Sequence, residues 1–135
     1  MKPVLVSMYV HNGVFVISIY ADGRLKEKYN GKLSSKGNNY DKALELYSKA
    51  LKYTRKFVEH NSEYTDVTFE MTNSTIIKWF NEGFSKKEYM DKFSEVMLTL
   101  QSIPIRYRMV MNKEPRCKSL FTEKISSLEL SKLTL

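Results

Sequence analysis

The sequence predicts an α/β domain, a mixed five-stranded sheet flanked by helices, and three observations carry that prediction. Asn12-Gly13 and Asp22-Gly23 divide the first thirty residues into three short strand-like runs, a helical stripe fills residues 40–60, and two later runs of period two are each reached through helical text. With 135 residues, 42% of them hydrophobic, one domain can bury a core without disulfide or metal staples.

Residues 4–11 (VLVSMYVH) are β-branched and aromatic enough for a strand, and Asn12-Gly13 supplies the two positive-φ residues of a type I′ turn. A second strand is expected over Val14–Tyr20. After Asp22-Gly23 a third runs over Arg24–Tyr29 and stops at Asn30-Gly31. Asn38 or Asn39 then caps a helix whose first turn carries Asp41. Its buried stripe is Ala43, Leu44, Leu46, Tyr47, Ala50, Leu51, Thr54, Phe57 and Val58, and it ends near His60.

VTFEMT (residues 67–72) alternates as a fourth strand. Asn73 or Ser74 caps a short helix through Ile76, Ile77, Trp79 and Phe80, with Gly83 as its left-handed terminator. Ser85 and Glu88 have capping-box spacing ahead of Tyr89, Phe93, Val96, Met97 and Leu100. From Pro104 a fifth strand sets Ile105, Tyr107, Met109 and Met111 against Arg106, Arg108 and Val110, one side apolar and the other partly basic. A last short helix is expected around Arg116–Glu123. The order is β-β-β-α-β-α-α-β-α, with one domain over residues 1–123 and a Leu-containing tail over 124–135.

Composition excludes several classes. The lone Cys117 forms no internal disulfide, His11 and His60 lie far from any thiol, and the N-terminal run is too broken for a secretory or spanning segment, so an intracellular, cytoplasmic setting is expected. There is no Gly-x-Ser-x-Gly and no Walker loop. A net charge of +7, from 22 basic against 15 acidic residues, favours polyanions as partners.

The order of elements and three local matches make the chain similar to the ribonuclease H family. Asn38-Asn39-Tyr40-Asp41-Lys42-Ala43 stands where that family opens its first helix with paired Asn. Met71-Thr72-Asn73-Ser74 stands at its Thr-Asp-Ser-like turn, and Arg116-Cys117-Lys118-Ser119-Leu120 stands where its last acidic helix follows a basic strand. The resemblance implies a two-metal phosphodiester hydrolysis in which four carboxylates hold the ions. Carried across, those positions fall at Tyr9, Lys42, Thr72 and Lys118, none of them acidic. A Lys at a former ligand position opposes a cation by about 4 kcal/mol per unit-charge contact at an effective dielectric near 20. The family's product-release His is missing from the short Asn112–Pro115 segment, and its long Gly-rich loop is cut to the Asn12-Gly13 turn.

The resemblance therefore implies a pseudo-nuclease without cofactor or bound metal. Its first expected role is binding RNA, duplex or hybrid through a basic face of Lys42, Arg106, Arg108, Lys113, Arg116 and Lys118, with Asn38 and Asn39 matching family residues that touch a hybrid's minor groove. Tyr9, Tyr40 and Tyr107 are candidate stacking residues. A second role is protein interaction: a regulator or viral inhibitor that docks a partner or forms a homodimer, in host cytoplasm if viral. The third is a nuclease with its acids moved to Glu45 and Glu70, against the simpler reading that these neutralise Lys42 and Lys118.

Overall fold

The computed structural model describes residues 1–121, so the tail expected over 124–135 lies outside the described residues. β1 (Pro3–His11), β2 (Val14–Ala21) and β3 (Arg24–Lys32) form an antiparallel meander through the two predicted turns. Asn12 and Asp22 have φ of 52° and 56° and the glycines after them 76° and 72°, the all-positive pattern that type I′ hairpins require. β3 runs past Tyr29, because Asn30, Gly31 and Lys32 still pair with Val16, Phe15 and Val14. Gly31 belongs there by size: a Cβ would lie 3.2 Å from the Phe15 ring.

α1 (Asn39–His60) carries the chain from the outer edge β3 across to β4 (Asp66–Met71), which pairs parallel with β1. α2 (Ser74–Glu82), capped by Asn73 and ended by left-handed Gly83, leads through a 3₁₀ turn at Lys87–Tyr89 into α3 (Met90–Ser102). The expected Ser85–Glu88 capping box does not form, since the Ser85 hydroxyl donates to the neighbouring Lys86 carbonyl. β5 (Arg106–Met111) then pairs parallel with β4, giving the order β3-β2-β1-β4-β5.

The three long helices pack one face of the sheet, where Val6, Met8, Ile17, Ile19, Val67 and Phe69 meet Leu44, Tyr47, Leu51, Ile76, Phe93 and Leu100. The other face is covered by the segment after β5. Cys117 and Phe121, flanking the single turn α4 (Lys118–Leu120), bury Val14 and Val16, and Arg116 lies over Tyr20, so β2 is buried along its length. β5 departs from expectation: of its alternating apolar residues only Met109 is buried.

Candidate nucleic-acid interface

The parallel strands β1 and β4 end side by side, and at their C-terminal ends opens a polar cleft of about 460 Å³. In open α/β sheets this edge is where loops and helix starts converge on a ligand. The floor is apolar, from Met8, Val10, Ala43, Leu46 and Met71, while His11, Asn12, Asn39, Lys42, Thr72 and Asn73 form the rim. Two helices begin here. Asn38 caps α1 by accepting the N–H groups of Tyr40 and Asp41 at 3.0 and 3.1 Å, and Asn73 caps α2 by accepting from Ile76 at 3.1 Å. Lys42, one turn into α1, adds a cation beside the positive helix starts.

The opposite face of the sheet holds a buried carboxylate. Glu70, 7% exposed, accepts from the Ser7 hydroxyl at 2.7 Å, the Asn112 amide at 2.7 Å and the Arg116 N–H at 2.8 Å. Ser7 in turn accepts the Cys117 N–H at 3.0 Å, so one acid fastens the segment after β5 to the centre of the sheet. Burial, with Glu70 nearby, pushes the Cys117 thiol up to about 12, which makes it an inert packing group despite its basic neighbours.

No family model matches the sequence, and no curated protein sequence matches it. Among solved structures, the chain superposes on ribonuclease H1 of the halophilic archaeon Halobacterium salinarum with a TM-score of 0.65 and 10% identity, over 88% of this chain and 89% of that one. It superposes on LC11 ribonuclease H1, isolated from compost by a metagenomic approach, with a TM-score of 0.66 and 14% identity, over 91% and 90%. The fold is ribonuclease H-like. LC11 ribonuclease H1 in complex with an RNA/DNA hybrid matches at a TM-score of 0.65 and 12% identity, over 87% and 88%.

On this ribonuclease H-like frame the four carried-over positions do not share one site. Lys42 and Thr72 border the cleft. Tyr9 and Lys118 lie across the sheet, where the Lys118 ammonium sits 5.5 Å from the Tyr9 ring centre and Tyr9 meets Phe121 edge-on at 5.1 Å. Lys118 also pairs with Glu114 at 3.0 Å, a bond that raises its pKa against the small effect of burial. A pair of divalent ions does not fit the cleft, because no described residue lining it is acidic and a lysine stands in it. Among the described residues, no three His, Cys, Asp or Glu side chains gather where they could hold one ion.

Glu45 and Glu70 are likewise apart. Burial alone would raise Glu45, but N–H groups of Ser34 and Ser35 at 2.8 and 2.6 Å, with Lys49 nearby, outweigh it and lower the pKa. This acid ties the β3–α1 connection to α1 rather than neutralising Lys42, and Glu70 points from the other face of the sheet.

The candidate contact residues fall into two groups. Asn39 and Lys42 border the cleft; Asn38 is held by its cap and by donating to the Tyr89 hydroxyl. Arg106, Arg108, Arg116 and Lys118 lie on the opposite face, with Arg108 paired to Asp66 at 3.2 Å and Arg116 over the Tyr20 ring at 4.1 Å, while Lys113 is exposed in the connection after β5. Tyr40 packs against Trp79 and Tyr89. Sequence reasoning missed His11, Asn12 and Asn73 as cleft residues; their turn and cap signals located the backbone, and only strand pairing shows that those positions converge.

Proposed function

We propose that this chain is a non-hydrolytic ribonuclease H-like module that binds nucleic acid, its cleft at the C-terminal ends of β1 and β4 holding a backbone phosphate. The observation that carries this reading is the make-up of that cleft: Lys42, His11 and three asparagines around an apolar floor, with no carboxylate among the described lining residues. The RNA/DNA hybrid bound by LC11 ribonuclease H1 supports the choice of ligand class, as does the net charge of +7. The exposed arginines of the opposite face supply a second, diffuse attraction.

Fluorescence anisotropy with single-stranded RNA, duplex RNA and an RNA/DNA hybrid at several salt concentrations tests it. Binding is expected to weaken steeply with salt, and Lys42→Glu to weaken it further while lowering the slope of log K against log salt by about 0.7 to 0.9. Magnesium-dependent cleavage of any of the three by the unaltered protein overturns the proposal, and so does a Lys42→Glu variant that binds unchanged.

A further inference from the structure

The sheet ends at β5, and the bonds that hold β5 to β4 fix which of its backbone groups remain. Arg106 donates to the Thr65 carbonyl at 2.8 Å and Asn112 to the Met71 carbonyl at 2.9 Å, so strand alternation turns the N–H and C=O of Tyr107, Met109 and Met111 outward. No described strand lies beyond them. Tyr107 is 38% exposed, Val110 38% and Met111 46%, which gives this edge apolar side chains on both faces. Edges are ordinarily blunted by charge, yet Arg108 is already held by Asp66.

We infer that β5 is a self-association edge: a second copy of this chain adds antiparallel through its own β5, about a two-fold axis perpendicular to the sheet and midway between the two Met109 residues. The register follows from the outward groups. Centred on Met109, the pairing sets Met109 against Met109 of the second copy and Tyr107 against Met111, so all three outward residues of each strand bond across the axis. On the other face it sets Arg108 against Val110 and Arg106 against Asn112, and no arginine opposes another.

Centring on Arg108 would place the two Arg108 side chains face to face, and centring on Val110 would leave Tyr107 without a partner. The Met109 register alone joins complete backbone bonding to separated charge. The two-fold closes on itself, since each copy offers one β5.

Sedimentation velocity on nucleic-acid-free protein, from low micromolar to hundreds of micromolar, reads the monomer–dimer equilibrium. Val110→Glu sets a carboxylate opposite Arg108 of the second copy twice per dimer and is expected to tighten dimerisation about tenfold, whereas Val110→Lys weakens it about tenfold. Lys26→Glu on the other edge is expected to leave it unchanged. Val110 is exposed, so circular dichroism and melting should show all variants folded. A wild-type chain that stays monomeric overturns the inference. Equal shifts in one direction by the two Val110 variants, or a dimer that responds to Lys26→Glu instead, do the same.

Discussion

Replacing Glu70 by alanine tests whether this buried acid is a fastener or a reactive group. The carboxylate receives three donors, from Ser7, Asn112 and the Arg116 backbone, and Ser7 passes the link on to the Cys117 N–H. Bonds to a charged acceptor contribute about 1.5 to 3 kcal/mol each, but Asn112 and Arg116 lie near the surface and recover part of theirs from water, so the expected loss is about 3 kcal/mol. At roughly 3 to 5 °C per kcal/mol for a domain of this size, that lowers Tm by about 10 °C. Glu70→Gln keeps one acceptor and turns an amide donor toward other donors, so about half the loss is expected. Urea unfolding and calorimetry measure both. The reasoning is refuted if Glu70→Ala stays within about 0.5 kcal/mol of wild type. Loss of a nuclease activity with stability intact would make Glu70 a catalytic acid instead.

Asn38→Ala removes the cap on Tyr40 and Asp41 and the bond to the Tyr89 hydroxyl, and is expected to cost about 1 to 2 kcal/mol by denaturant unfolding. Asn39→Ala, beside it but without a capping bond, should cost far less. Cys117 gives a pH signature. Its thiol is raised by burial from 9.0 to about 12, so above pH 9 the unfolded chain loses its proton first and stability falls with rising pH. The slope from this group reaches at most about 1.4 kcal/mol per unit between pH 9 and 12, and Cys117→Ser should flatten that part of the stability curve.

Most of the fold was legible because its signals are local. The Asn12-Gly13 and Asp22-Gly23 turns, the α1 stripe and the Gly83 stop each depend on neighbours a few residues away, and each stands where the pattern placed it. What failed depends on distant partners. Ser85 and Glu88 have the right spacing for a capping box, but a 3₁₀ turn precedes α3 and takes the backbone out of reach. The apolar side of β5 reads as facing the core, yet its place at the edge leaves Tyr107 and Met111 exposed. Of the carried-over positions, Lys42 and Thr72 border the cleft and Tyr9 does not. A strand's two faces differ by one residue, and the register Val6–Phe69 and Ser7–Glu70 turns Tyr9 away from the cleft.

The charge in the cleft makes opposite predictions for anions and cations, and one double variant separates them. A ligand that binds only the native state stabilises it by RT ln(1 + [L]/Kd), about 2.7 kcal/mol at a hundred times Kd. With Lys42 in place and no acid among the described lining residues, magnesium is expected to shift Tm no more than sodium chloride of equal ionic strength. Lys42→Glu with Thr72→Asp puts one carboxylate in the first turn of α1 and one just past the end of β4, both bordering the cleft. That double variant should gain a magnesium-dependent rise in Tm and lose nucleic-acid affinity together. A magnesium-dependent rise already present in the wild-type chain would mean that anionic ligands reach the cleft from somewhere else, and the assignment of Lys42 as an anion-binding residue would fail with it.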